Sequence, residues 1–312
     1  MRIPMMAICA VMLAAAPAFG ASHEDHNNCN ARDADRNIIG CTKVLEDPGE
    51  SARNRGIAHV GRGLALQQKG ETDRAMADMT DAIRLNPDDA LAYSNRGILW
   101  REKHDVDRAI ADFTSAIRIE AVPRSDIGGD GHVNIYANRG LAYMAKGDLA
   151  LALSDFDEAI RRDRDNVEAY LWRAQIYLSN GETDRAIADL NRAIRLDPEL
   201  TSAYQARADA RVQRYRSSGT FTVKDDLEYA IADYGSVIRL EPERASAFHD
   251  RGVAWKLYGN IDRAVADFME AVRLNPMNLE VVAALKGLKP DFVLPSIAEK
   301  GILNWQEHAL KK

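Results

Sequence analysis

Residues 92–120 read AYSNRGILWREKHDVDRAIADFTSAIRIE. This stretch contains two helical segments separated by a polar turn, and small residues recur on the apolar face of both. Gly97 occupies the first segment, while Ala109 and Ala116 occupy the second. Small residues at a helix crossing let two backbones approach closely, and alanine also favours the helix. The stretch therefore predicts two antiparallel helices that pack tightly on each other.

The pattern recurs along the chain with a period of 34 residues. The hexapeptide GETDRA occurs at 70–75 and again at 181–186, an interval of three periods and nine further residues. Inserts near 122–132 and 217–226 lengthen the intervals after the second and the fifth unit. Self-similarity at such a period is typical of helical repeat arrays. The six units start at Gly56, Ala90, Val133, Val167, Thr201 and Ala245.

Four places within the unit carry its apolar face. The eighth place is always small, the 20th is always alanine, and the 27th is alanine in all units but one. The 24th place is aromatic or apolar and holds Met79, Phe113, Phe156, Leu190, Tyr234 and Phe268. Glycine at the 15th place of four units predicts the end of the first helix, and proline predicts the end of the second, since proline cannot continue a helix.

With a small residue, alanine, an aromatic residue, alanine and proline at these spacings, the units resemble the tetratricopeptide repeat. The resemblance covers residues 56–276 in six repeats. It implies an all-α fold, a right-handed superhelical solenoid of antiparallel helix pairs in which each unit buries its apolar face against its neighbours. Two units lack the proline and have Ala121 and Arg164 in its place.

The flanking segments are expected to cap this array. Residues 21–55 form an N-terminal segment in which RNIIGCTKVL, residues 36–45, aligns with the second helix of a unit, so that 30–46 is a half repeat. Residues 277–312 contain a capping helix at 279–288 and a tail. Solenoids need such caps to close their open core.

Residues 1–20 are typical of a secretory signal peptide. Arg2 precedes an apolar run over 5–16, and small residues at 18–20 suit cleavage. The run is too short to cross a bilayer comfortably, although an uncleaved anchor is the alternative. We therefore expect a periplasmic or secreted protein, with no membrane insertion after cleavage of the signal peptide.

Cleavage would leave two cysteines, Cys29 and Cys41. An oxidising compartment favours a disulfide between them over two free thiols, and their spacing is not that of a redox C-x-x-C motif. A new N-terminus of Ala21, Ser22 and His23 carries the nitrogen ligands of a square-planar Cu(II) or Ni(II) site. The alternative is a disordered polar tail, and we predict neither a metal nor a cofactor for the function.

Three charged columns run through all six units: arginine at the seventh place, aspartate at the 23rd and arginine at the 29th. A cation ladder for an anionic ligand is one interpretation. The other is structural, with each arginine of a first helix paired to an aspartate of a second helix, which aids orientation more than stability. Charges of opposite sign in regular register favour the structural interpretation.

The resemblance places the ligand surface on the first helices, which in this family line the concave side of the superhelix and grip extended peptides or partner helices. Residues vary there while the scaffold repeats, as expected for a binding surface. Asn95 and Asn138 stand where some family members carry an asparagine ladder for a peptide backbone. Ordinary solvated helix positions are the alternative. The predicted partner-binding residues are Asn95, Asn138, Trp172, Gln175, Gln205, His249 and Asp250.

Composition and motifs argue against two classes of function. The formal net charge is −6 and basic residues are interspersed with acidic ones, which disfavours nucleic acid as a partner. The sequence has no H-E-x-x-H, G-x-S-x-G or phosphate-loop motif, so no catalytic residue is predicted. We expect a non-enzymatic protein–protein interaction scaffold of a bacterial cell envelope that binds a protein or a peptide. An adaptor that regulates an envelope hydrolase or protease is the alternative.

Overall fold

The structure is a computed structural model, and it describes residues 21–121, 134–218 and 224–293. The predicted signal peptide at 1–20, the first insert at 122–132 and the end of the C-terminal tail lie outside these ranges. No helix within them is long and apolar enough to cross a membrane.

The chain divides into two compact units, Met1–Ile135 and Tyr136–Lys312, which we call the N-terminal unit and the C-terminal unit. Every regular element of the described residues is a helix, which confirms the predicted all-α repeat fold. The N-terminal unit contains α1 His23–Cys29, α2 Ala34–Glu46, α3 Ala52–Gln68, α4 Thr72–Leu85, α5 Ala90–Glu102 and α6 Val106–Glu120. The following helices are α7 Ile135–Lys146, α8 Leu149–Arg162, α9 Val167–Ser179, α10 Thr183–Leu196, α11 Thr201–Ser218, α12 Lys224–Leu240, α13 Ala245–Tyr258, α14 Ile261–Leu274 and α15 Leu279–Leu288.

Short turns join the two helices of most repeats, so these helices run antiparallel. The first helices α5, α9, α11 and α13 begin at the residues where the sequence units start. Asp89 and Asn166 cap two of them, because their side chains accept hydrogen bonds from the N–H groups of Ala92 and Ala169. The helix α3 begins earlier than its unit, at Ala52.

A left-handed residue ends the first helix of five repeats. Four of these residues are glycines with φ between 74° and 94°, a conformation that glycine adopts without a steric penalty. His104 takes the same place with φ 61°. Tyr215 stands there in the fifth repeat, and α11 continues past it to Ser218. The glycines are Gly70, Gly147, Gly181 and Gly259.

The second insert, predicted at 217–226, is partly helical. The helices on either side of it are long, with 18 residues in α11 and 17 in α12. The insert contributes the end of α11 and the start of α12, and only 219–223 lie outside the described residues. Arg214 joins the two extended ends, because its Nε donates to Oδ2 of Asp226 at 2.8 Å.

The apolar places of the repeat form the core. All six alanines of the 20th place are fully buried, and the side chains of the 24th place are at most 3% exposed. At Gly97, Gly140 and Gly252 a Cβ atom would lie 2.8–2.9 Å from the phenylalanine ring of the 24th place. The fourth repeat has Ala174 and the smaller Leu190 at these two places. In these four repeats the eighth and 24th residues are therefore matched in size.

The charged columns pair as the structural interpretation predicted. In each repeat the seventh-place arginine donates through two nitrogens to the 23rd-place aspartate, with N–O distances of 2.6–2.9 Å. The aspartates are buried. Since such two-point contacts are directional, they orient the two helices of a repeat. The pairs are Arg62–Asp78, Arg96–Asp112, Arg139–Asp155, Arg173–Asp189, Arg207–Asp233 and Arg251–Asp267.

The arginines of the 29th place do not join these pairs. All six are exposed on the second helices. Arg84, Arg161 and Arg273 each contact an acidic residue three positions earlier in the same helix. Exposed pairs of this kind contribute little to stability.

The N-terminal cap is more extensive than the predicted half repeat. The helix α2 packs on α3, and α1 is an additional helix where the sequence left a disordered tail open. Ser22 and Asp25 cap α1 reciprocally: the N–H of Asp25 donates to Ser22 Oγ at 3.1 Å and the N–H of Ser22 donates to Asp25 Oδ2 at 3.0 Å. A disulfide between Cys29 and Cys41 joins α1 to α2, as the sequence favoured.

Replacement of both Cys29 and Cys41 by serine is expected to loosen this cap. The bond closes a short loop, and its loss costs about 2–3 kcal/mol in the chain-entropy account. We expect faster amide hydrogen exchange in α1 and α2, and unchanged exchange in α12 to α14 of the C-terminal unit. The wild-type protein measured with and without a reductant is the control. Equal exchange of α1 in all three samples would show that the disulfide does not stabilise the cap.

Candidate partner-binding groove

A groove of about 520 Å³ lies in the C-terminal unit between α9, α11 and the start of α13. Most of the residues that line it are polar, although carbon atoms of these side chains, together with Leu178 and Ala206, form much of its surface. The polar lining includes Gln175, Ser179, Ser202, Gln205, Asp209 and Arg244.

The repeat explains why these side chains meet. Gln175 on α9 and Asp209 on α11 both occupy the ninth place of their units. Gln205 lies one helical turn before Asp209, so the two side chains share a face of α11. Neighbouring first helices therefore present the same face to the groove.

A hydrogen-bond network connects the groove to α12 and α13. Nε2 of Gln205 donates to Oδ1 of Asp209 at 3.1 Å and to Oδ2 of Asp250 at 2.9 Å. The hydroxyl of Tyr234 donates to Oδ1 of Asp209 at 2.7 Å. Nδ1 of His249 lies 3.1 Å from Oδ1 of Asp250. The network thus holds two carboxylates beside one amide.

The surroundings shift the pKa values of three groups in this network. Asp209 is an exposed residue, yet its carboxyl group is crowded by its neighbours, and this burial together with the charge of Asp250 raises its pKa. Burial, followed by the charge of Asp209, raises the pKa of Tyr234. The hydrogen bond to Asp250 raises the pKa of His249. Burial is thus the main cause of the shifts of Asp209 and Tyr234, and neighbouring negative charges add to them.

The predicted partner-binding residues of the C-terminal unit fall into two groups. Gln175 and Gln205 line the groove, and the network brings His249 and Asp250 next to it. Trp172 packs instead against the core around Phe156, where it is partly buried.

The two asparagines of the predicted ladder lie apart from this groove. Asn138 is partly buried on α7. Asn95 lies in the N-terminal unit and is only 5% exposed, and its Nδ2 donates to the carbonyl oxygen of Leu91 in its own helix at 2.9 Å. A role in partner binding stays a prediction for both.

Sequence reasoning assigned Tyr234 only to the core and did not consider Arg244. Tyr234 is the one side chain of the 24th place with a hydroxyl group, and a buried hydroxyl needs a partner. That signal points to a polar neighbour but does not identify Asp209. Arg244 lies outside the periodic columns, at the N-cap of α13.

Over the ranges that the structure describes, no cluster of three or more histidine, cysteine, aspartate and glutamate residues is arranged to hold a metal ion. At the N-terminal end, Ser22 caps α1 and His23 is the first residue of that helix. Copper or nickel binding by a cleaved N-terminus stays a prediction.

A comparison with known protein families finds a match within the repeats. The family model "Tetratricopeptide repeat" matches residues 60–125 and 138–200. No curated protein sequence shows significant similarity to the chain.

Solved structures share the architecture. YrrB, described as a TPR protein with an unusual peptide-binding site, is 22% identical with a TM-score of 0.54, over 67% of this chain and 97% of that one. The pilF protein of Pseudomonas aeruginosa is 15% identical with a TM-score of 0.60, over 74% and 97%. The C-terminal part of a TPR repeat-containing protein from Cytophaga hutchinsonii is 17% identical with a TM-score of 0.62, over 84% and 97%. At these identities the likeness shows the fold alone.

Proteins built from tetratricopeptide repeats act as protein–protein interaction scaffolds, and the fold is generally non-enzymatic. The two matched segments cover parts of both units of this chain. The match shows that residues 60–125 and 138–200 are similar to the tetratricopeptide repeat, and the solved structures share the helical fold.

Proposed function

We propose that the chain is a non-enzymatic interaction scaffold of a bacterial cell envelope, located in the periplasm or secreted. In this proposal it binds a peptide segment or a partner helix in a groove lined by first helices. The groove between α9, α11 and α13 carries the proposal, because amide, hydroxyl and carboxylate groups line it together. These groups suit the N–H and C=O groups of a peptide, which need both acceptors and donors.

Two further observations support the partner class and the compartment. YrrB, which has the same fold, is described as having a peptide-binding site. The disulfide between Cys29 and Cys41 fits an oxidising compartment, and the sequence of residues 1–20 is typical of a secretory signal.

Photo-cross-linking from two single positions tests this function. A photoreactive amino acid replaces Gln175, which is exposed in the groove, or Ala188, which is exposed on the second helix α10. We expect irradiation of living host cells to link a discrete partner to the protein labelled at position 175 and not to the protein labelled at position 188. Circular dichroism of both purified proteins controls for folding.

The other outcomes have distinct meanings. Linking from position 188 alone would contradict the groove and move the interface to the second helices. Linking from neither position would contradict partner binding through this part of the chain. If the captured partner is a hydrolase or protease whose turnover changes when the protein is added, the chain is a regulatory adaptor of that enzyme.

A further inference from the structure

We propose that the groove recognises a cationic side chain, an arginine or a lysine of the bound peptide, between Asp209 and Asp250. The inference rests on the proposed function and names the chemistry of the group that is bound. It starts from a contrast within the repeats. Each aspartate of the 23rd place is paired with an arginine, whereas the side chains that contact Asp209 are Gln205 and Tyr234, and those that contact Asp250 are Gln205 and His249.

The one arginine that lines the groove, Arg244, forms no ion pair with Asp209 or Asp250, although its charge acts on Asp209 from a distance. Nη1 of Arg244 lies 3.1 Å from Oε2 of Glu241, and its Nε donates to the hydroxyl of Ser246 at 3.2 Å. The charge of Arg244 is therefore offset by Glu241 within the same turn. Among the described residues, no arginine or lysine forms an ion pair with Asp209 or Asp250, and the imidazole of His249 beside Asp250 is charged only when it is protonated.

Gln205 adds a third acceptor. Its amide nitrogen is oriented toward the carboxylates of Asp209 and Asp250, since the opposite orientation would place a carbonyl oxygen against two anions. Its Oε1 is consequently left buried, with no hydrogen-bond donor among the described residues. A buried acceptor without a donor is costly, and a ligand that displaces the amide of Gln205 and brings its own N–H groups would satisfy it.

The chemistry of the three acceptors selects the ligand group. A guanidinium presents five N–H donors in a plane, and an ammonium presents three. Both carry a positive charge that compensates the negative charge of a carboxylate. Burial raises the pKa of Asp209, and a bound cation would lower it again by stabilising the carboxylate. A neutral donor such as an amide would satisfy the hydrogen bonds and leave the charge uncompensated.

Four capped pentapeptides test the proposal. Each has alanine at four positions and a different residue at the centre. The central residue is arginine, lysine, citrulline or norleucine, and binding to the full chain is followed by NMR chemical shifts of the groove amides. We expect saturable shifts around Gln205 and Asp209 with arginine and lysine. Citrulline, which has nearly the shape of arginine without its charge, is expected to bind about tenfold more weakly, because a hydrogen bond to a charged group is lost.

Charge-neutralising variants identify the site. Asp209→Asn and Asp250→Asn are each expected to weaken binding of the arginine peptide by about tenfold. Asp262→Asn, in the exposed first turn of α14, removes the same charge outside the groove and is expected to leave binding unchanged. Circular dichroism confirms that each variant is folded.

The possible results distinguish recognition of a cationic side chain from peptide binding in the groove as a whole. Equal affinity for all four peptides overturns recognition of a cation but retains the groove as a peptide site. Shifts with none of the peptides contradict both the cationic pocket and the proposed peptide groove. Free arginine amide that binds as tightly as the arginine peptide assigns the pocket to a free cation and overturns its role in peptide recognition.

Discussion

Replacement of Asp233 by asparagine is expected to lower the free energy of unfolding by about 3–4 kcal/mol, near the lower end of the range for breaking a buried ion pair. Asp233 is 4% exposed and accepts hydrogen bonds from both Arg207 and Arg211. The side chains of these arginines are only 14% and 12% exposed. Asparagine keeps the shape of aspartate but removes the negative charge that Arg207 and Arg211 share.

The pKa of Arg211 indicates how much this pair depends on Asp233. Burial lowers the pKa of Arg211, the charge of Asp233 opposes that shift, and the charge of Arg207 adds to it. Removal of Asp233 therefore leaves burial and the charges of Arg207 and Arg214 opposed by the charge of Asp226, which acts on Arg211 less strongly than Asp233 does. We expect lower urea stability and faster hydrogen exchange in α11 and α12.

Asp267→Asn is the matched control for this prediction. Asp267 pairs with a single arginine, Arg251, whose side chain is 25% exposed and can turn partly to water. The expected loss is smaller, about 1.5 kcal/mol, as for one hydrogen bond to a charged group. Equal losses in Asp233→Asn and Asp267→Asn would contradict the claim that the second arginine makes the fifth repeat more sensitive.

Phe156→Ala is expected to destabilise the C-terminal unit by about 3–5 kcal/mol, the usual cost of a cavity left by a phenylalanine. Phe156 is fully buried in the third repeat and belongs to the cluster that contains Ala152 and Ala159. Its ring also occupies the space in which a Cβ of Gly140 would lie, 2.9 Å from Cε1. Urea unfolding followed by circular dichroism measures the loss.

A double-mutant cycle tests whether the eighth and 24th places are matched in size. Gly140→Ala alone should destabilise by about 1–3 kcal/mol through overpacking, offset in part by the better helix propensity of alanine, about 1 kcal/mol. Combined with Phe156→Leu it reproduces the Ala174 and Leu190 pair of the fourth repeat. The double variant should therefore be more stable than the sum of the single losses predicts. Strict additivity would mean that the two places do not constrain each other.

The helix pairs could be read from the sequence because their causes are local and recur. A small residue in the eighth place, alanines in the 20th and 27th places and a glycine in the 15th act within one or two helices, and six units repeat the same signals. The arginine and aspartate columns were assigned as pairs for the same reason. At Tyr215, where the glycine is absent, the helix continued, whereas at His104 a residue other than glycine adopted the left-handed conformation and the helix ended.

The side-chain contacts between the helices of the groove could not be predicted from the sequence, because they join residues that are far apart along the chain. Gln205 meets Asp250 across 45 residues, and Tyr234 meets Asp209 across 25, on the far side of an insert that lengthens both helices. Asn95, selected from its column, is instead buried with its amide bonded to its own helix. The periodic pattern specifies which face of a helix a residue occupies, because that depends on backbone geometry alone. Which side chains then touch depends on how closely neighbouring helices cross, and only the tertiary packing sets that distance.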